Sequence, residues 1–267
     1  MNMLPEAEGH YLAGFENGRL QSPTGRLEFL RSLSIFSRFG PSAPARLLDL
    51  GGGTGPYAFH LARQGYEVEL VDAMPLHIEQ AMAHPDSAML KSISVGDARS
   101  LGYEEASFDA VLLMGPLYHL TEREDRLAAL REVYRVLRPG GRVFAAVISR
   151  FASLIDGFLH GLIADPLFEE IVRQDLIDGQ HRNPTDHPDY FTTAKFHKAS
   201  ELAEEMAEAG YADPQVLAVE GFGSVIPNMG EMDEGEFNRL MHFLVLVESE
   251  PEIIGVSSHL MGISTKC

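Results

Sequence analysis

The residues best placed to do chemistry in this chain begin at Asp49, where an acid ends an apolar run and Leu50-Gly51-Gly52-Gly53-Thr54-Gly55 follows. Glycines in such a loop let the backbone approach a ligand closely, because they lack a Cβ and tolerate positive φ. The helix expected next aims unpaired N–H groups at the same place, which suits a polar or anionic ligand. The carboxylate of Asp49 sharpens the choice, since it repels a pyrophosphate and attracts an ammonium or a sulfonium. A second acid, Asp72, ends the next apolar run about twenty residues on, where a carboxylate accepts hydrogen bonds from ribose hydroxyls. Hydrogen bonds to charged groups are worth roughly 1.5–3 kcal/mol each.

The elements that must position these groups follow from apolar patterning. Short apolar strands are expected at Arg46 to Leu50, Glu67 to Val71, Ser92 to Val95, Phe108 to Met114 and Arg142 to Ser149. Helices are expected between them: Pro56 to Gln64, with proline in its first turn, Leu76 to Ala83, and Thr121 to Leu137. The last opens on a capping box of Thr121 and Glu124 and stops at Pro139-Gly140-Gly141. Alternation of this kind predicts a doubly wound, Rossmann-like α/β sheet of mostly parallel strands, with ligands beyond their C-terminal ends. Helical spacing over Leu4 to Phe39 precedes the core. Phe151 to Ile177 is helix-like, Asp178 to Lys198 is loop-rich, and Ser200 to Ala209 and Asp233 to Ser249 are helices. Strands at Gln215 to Val219 and Leu260 to Thr265 bring the sheet to seven. We divide the chain into an N-terminal helical cover (1–45), a cofactor-binding core (46–149), a helical cap insertion (150–198) and the rest of the core (199–267), with an inserted helix near 233–249.

Taken together, Asp49 to Gly55, Val71-Asp72-Ala73-Met74-Pro75, Gly96-Asp97-Ala98-Arg99, Phe108-Asp109-Ala110-Val111 and Leu137-Arg138-Pro139-Gly140-Gly141-Arg142-Val143 occur in order over roughly residues 46–149. This series resembles the motifs of class I S-adenosylmethionine-dependent methyltransferases. The resemblance implies S-adenosyl-L-methionine as cofactor, S-adenosyl-L-homocysteine as product, and a cofactor site at Asp49, Gly51, Gly53, Gly55, Asp72, Ala73, Met74, Asp97, Ala98 and Met114. It also implies that the loop Met114-Gly115-Pro116-Leu117-Tyr118-His119 faces the methyl group. His119 is then the candidate base and Tyr118 the candidate for orienting a substrate or meeting the sulfonium. A helix before the first strand commonly covers the site in this family, which brings in Tyr11, Glu16 and Arg19. The family ends in an antiparallel hairpin, which Asp233 to Ser249 interrupts here.

Composition narrows the partners. The net charge is −18, from 39 acidic and 21 basic residues, and no Lys/Arg cluster offsets it, so nucleic acid and anionic membrane surfaces are not expected. The basic residues of Arg123 to Arg138 alternate with acids and read as a solvated helix face. No apolar run approaches the ~20 residues that cross a bilayer. The single cysteine, Cys267, fits a reducing cytoplasm. His181, His187 and His197 match no compact ligand spacing, so no metal is expected; with Arg182 and Tyr190 they offer polar groups to a substrate. The expected function is methyl transfer to a small-molecule acceptor. Two alternatives stand: a nicotinamide-dependent oxidoreductase, because Gly53 to Ala58 fits G-x-G-x-x-A, and a non-catalytic protein that keeps the fold.

Overall fold

The computed structural model describes residues 19–185 and 187–267. In chain order its elements are α1 (Pro23–Phe39), β1 (Arg46–Leu50), α2 (Pro56–Arg63), β2 (Glu67–Asp72), α3 (Pro75–Ala83), β3 (Ser92–Val95), β4 (Phe108–Leu113), the short α4 (Pro116–His119), α5 (Arg123–Val136) and β5 (Leu137–Ser149). There follow α6 (Ala152–Leu159), α7 (Pro166–Asp178), β6 (Gln180–His181), β7 (Ala194–His197), α8 (Ala199–Glu208), β8 (Ala212–Ala218), α9 (Glu234–Val247), α10 (Pro251–Ile254) and β9 (His259–Thr265).

Strands β1 to β5 are parallel and lie in the order β3-β2-β1-β4-β5; β9 runs antiparallel to both β5 and β8 and completes seven strands. The central strands are buried on both faces, so β1 and β4 read as continuous apolar runs rather than alternations. One face packs on α5 and α8 through Leu130, Val133, Leu202 and Met206. The other packs on α1 to α3 through Ile35, Phe36, Phe59, Leu61 and Ala81. The doubly wound architecture is as expected, and α9 stands between the two strands of the closing hairpin.

Four local expectations change. The sheet has nine strands, because β7 pairs parallel with β5 at Ile148↔Phe196 and Ser149↔His197, and β6 pairs antiparallel with β7. Pairing of β4 with β5 ends at Leu113↔Ala145, so β7 takes up the edge that β4 leaves. The segment read as a loop at 178–198 therefore carries two strands. The helix-like stretch Phe151 to Ile177 is broken into α6 and α7, with Gly161 at φ 74° and Pro166 at the restart. Helix α5 begins at Arg123, with Glu122 as N-cap and no side-chain cap, so Thr121 and Glu124 form no capping box. Within the N-terminal cover, α1 starts at a Ser22 cap whose side chain accepts from Gly25 N–H; Tyr11 and Glu16 lie outside the described residues.

Candidate active site

The glycine loop is held from behind and from the side by two carboxylates. Asp49 has no exposed surface and lies beneath the loop; its Oδ2 accepts from the backbone N–H of Ala58 at 3.1 Å. Gly55, the N-cap of α2, has no side chain to offer, so Asp49 serves the N–H of that helix's third residue from the strand. A Cβ at Gly52 would stand 2.5 Å from Asp49 Oδ2, which fixes how tightly the loop lies on it. Burial pushes the Asp49 carboxyl up to about 7, opposed by the Ala58 N–H and assisted by the negative charge of Asp72.

Asp72 is the acid beside the loop. Its Oδ2 accepts from Gly53 N–H at 2.8 Å, and its Oδ1 accepts from Met74 N–H at 2.8 Å and meets His77 Nδ1 at 3.1 Å. The end of β2, the glycine loop and the start of α3 thus converge on one carboxylate. Gly51, at φ 74°, turns the chain under the loop after β4: a Cβ there would stand 2.3 Å from Pro116 Cδ.

These elements enclose a cavity of about 420 Å³ beyond the C-terminal ends of β1, β2 and β4. Of the residues singled out in the sequence, Gly51 and Gly53, then Asp72, Ala73 and Met74, then Asp97 and Ala98, then Met114, Tyr118 and His119 line it. Two expected residues do not. Asp49 faces the underside of the loop, and Gly55 turns toward Phe59 and Leu70. In this structure both support the loop from outside the cavity. Arg19 begins the short helical turn Arg19–Gln21, whose Leu20 and Gln21 line the cavity; Tyr11 lies outside the described residues.

Charge in this cavity is predominantly negative. Asp72, Asp97, Glu122 and Asp125 line it, against the single guanidinium of Arg99 among the described residues. Arg99 is already bonded to Asp97 (Nη2 to Oδ2, 2.7 Å) and to Asp125 (Nη1 to Oδ2, 2.9 Å). The bond from Arg99 holds the Asp97 carboxyl below its usual range. Glu122 and Asp125 were hidden in the sequence by the alternating charges of the helix that carries them.

The short α4 presents Tyr118 and His119, whose rings lie 4.6 Å apart. The chain after them is fixed by Arg126 of α5. Its Nη1 donates to the carbonyls of Leu120 (2.9 Å) and Thr121 (2.8 Å), while its Nη2 donates to Glu205 of α8 at 2.7 Å. Burial would raise the Glu205 carboxyl, but its bonds to His197 and Arg126 prevail and bring it down to about 2.

Tyr118 also lines a second cavity, of about 410 Å³. The wall between the two is continuous along the chain: Leu20 and Gln21 line the first, and Ser22, Thr24 and Gly25 the second. The segment 150–198 supplies much of the far side, through Ser153 and Asp156 of α6, Phe168 of α7, and Tyr190, Phe191 and Phe196. The three histidines of this segment go to different places. His181 is buried between Asp175 (Nδ1 to Oδ2, 2.8 Å) and the Tyr190 carbonyl (Nε2 to O, 2.7 Å), His197 is buried beside Glu205, and His187 is exposed. They meet in no metal-ligating group among the described residues; the one such grouping there is Glu28, Glu220 and His259. Sequence reasoning missed it, because residues 28, 220 and 259 form no local pattern.

Comparison with known proteins agrees with this geometry. The family model described as a methyltransferase domain matches residues 48–145. The chain is 30% identical over 177 residues to a demethylmenaquinone methyltransferase of Deinococcus radiodurans, covering 63% of this chain and 68% of that protein. It is 35% identical over 119 residues to a ubiquinone/menaquinone biosynthesis C-methyltransferase of Dinoroseobacter shibae, covering 42% and 46%. Among the curated relatives it matches, the chain spans about half the length of several, 46% and 49% in two cases. The crystal structure of a possible histamine N-methyltransferase from Thermotoga maritima shares the fold, with a TM-score of 0.61 at 17% identity over 98% of this chain and 99% of that one. The protein belongs to the class I S-adenosylmethionine-dependent methyltransferases. No helix among the described residues is long and apolar enough to cross a membrane.

Proposed function

We propose that this protein transfers a methyl group from S-adenosyl-L-methionine to a small-molecule acceptor, with the cofactor in the first cavity and the acceptor meeting it at Tyr118 and His119. The observation that carries this reading is the lining of that cavity. A glycine loop supplies close backbone, and Asp72 stands beside it. Carboxylates outnumber cations, which suits a ligand with an ammonium and a sulfonium and disfavours the pyrophosphate of a nicotinamide dinucleotide.

When bound, S-adenosylmethionine supplies an activated methyl carbon. The protein's own work is then placement and exclusion of water. Asp72 orders the glycine loop through Gly53 and offers its carboxylate to ribose hydroxyls. Asp97, steadied by Arg99, offers a fixed acceptor at the adenine end. Asp49 acts from beneath by holding the loop to α2. Tyr118 orients the acceptor, and His119 accepts its proton where the nucleophile must lose one.

Isothermal titration calorimetry tests the cofactor assignment. Micromolar binding of S-adenosylhomocysteine is expected. Absence of binding by either form of the cofactor, or saturable NAD(H) binding in its place, would overturn it.

A further inference from the structure

The second cavity carries a charge pattern of its own. Glu28, Asp156, Asp189 and Glu220 line it, and no lysine or arginine does among the described residues. Its histidines are each beside an acid: His160 Nδ1 is 2.9 Å from Asp156, His181 Nδ1 is 2.8 Å from Asp175, and His259 Nδ1 is 2.6 Å from Glu220 Oε1. Glu28 stands on the same spot, its Oε2 3.9 Å from His259 Nδ1. Two carboxylates thus converge on one imidazole in the wall of the cavity. Glu220 is largely fixed by the fold, since its Oε2 accepts from Ser257 Oγ at 3.0 Å and from His259 N–H at 2.8 Å.

Aromatic rings also line the cavity, those of Tyr118, Phe168, Tyr190, Phe191 and Phe196, with Ile148, Ile155 and Leu159 and a few serine and threonine hydroxyls between them. The cluster and Tyr118 line the same cavity from different elements. His259 opens β9, whereas Tyr118 follows β4, and β5 lies between those strands.

We propose, resting on the function assigned above, that the second cavity is the acceptor site and takes a small organic cation. Its basic nitrogen is held at Glu28, Glu220 and His259, its apolar body lies among the aromatic rings, and its reacting atom reaches Tyr118. A cation gains twice over, from these local carboxylates and from the field of a protein with net charge −18. Aromatic faces add attraction for the same kind of ligand. An anionic acceptor would meet four carboxylates and, among the described residues, no basic group beyond histidines that already face an acid.

The test is calorimetry on the full chain saturated with S-adenosylhomocysteine, using 2-phenylethylamine and 3-phenylpropionate as probes of similar size and opposite charge. The amine should bind at least tenfold more tightly than the carboxylate. Glu28→Gln, which removes a charge at nearly constant shape, should weaken amine binding at least tenfold and leave S-adenosylhomocysteine affinity within twofold. Glu220→Gln should do the same, with a thermal melt reporting whether it folds. Equal or tighter binding of 3-phenylpropionate overturns the proposal, as does amine binding unchanged in Glu28→Gln. So does tight binding of Mn²⁺ or Zn²⁺ that Glu28→Gln abolishes, since the three side chains would then be metal ligands. Cofactor binding without amine binding defeats this assignment alone; loss of both defeats the function as well.

Discussion

The carboxylate of Asp72 accepts a hydrogen bond from the backbone N–H of Gly53 at 2.8 Å, tying the end of one strand to the loop that leaves its neighbour. Loop shape therefore depends on the same side chain that we propose meets the cofactor. Asp72→Ala should weaken S-adenosylhomocysteine binding by roughly 10- to 150-fold, the equivalent of about 1.5–3 kcal/mol for a lost charged hydrogen bond. Titration calorimetry at fixed ionic strength measures it, and an unchanged affinity would remove Asp72 from the site.

Asp49 predicts an unusual pH response. Its folded-state pKa of about 7 lies above the ordinary 3.8. Between those values the folded protein holds a proton that the unfolded chain lacks, so this group's contribution to stability falls as pH rises through that window. Asp49→Asn does not titrate. Its Tm relative to wild type should therefore improve from pH 5 to pH 8, and a pH-independent difference in thermal melts would refute the argument.

Gly51 is under two constraints, a φ of 74° and a contact with Pro116 that leaves no room for a Cβ. Gly51→Ala adds left-handed strain of roughly 1–2 kcal/mol to a clash with a proline ring. The turn that presents Tyr118 must shift to relieve that clash. Loss of cofactor binding together with a lowered Tm is the expected outcome; wild-type affinity would contradict the packing.

Arg126 and Glu205 form a buried pair, with side chains 3% and 5% exposed. Removing one partner strands the other, at a cost of about 3–5 kcal/mol. Arg126→Met should show that loss in chemical denaturation, and Arg126→Met combined with Glu205→Leu should recover part of it. Because Arg126 also holds the Leu120 and Thr121 carbonyls, the single variant should lower methyl transfer as well.

His119→Gln separates chemistry from binding. General base catalysis contributes about 10²–10⁴-fold where a proton must leave. Turnover should drop by at least tenfold while S-adenosylhomocysteine binds within about threefold of wild type. Unchanged turnover would assign proton removal elsewhere.

The core was legible because its signals are redundant. Apolar runs, a proline at the start of α2, the Gly51 to Gly55 loop and the Pro139-Gly140-Gly141 turn all support one alternation. The side on which Asp49 works was not legible, because a strand-end carboxylate is written identically whether it faces a ligand or the underside of a loop. Strand β6 has two residues and β7 four, too few to show a period of two. The Glu28–Glu220–His259 cluster is assembled only by folding, from a helix, a turn and the closing strand. Tyr118 and His119 were legible as candidates, whereas the Arg126 brace that fixes the chain after them was concealed among charges expected to face solvent.

Strand β7 joins the sheet at two register positions, opposite Ile148 and Ser149, past the point where β4 stops. The strands that set the glycine loop, β1, β2 and β4, make no ladder pairing with β7. The aromatic half of the second cavity thus hangs on a join of its own, separate from the strands that carry the glycine loop.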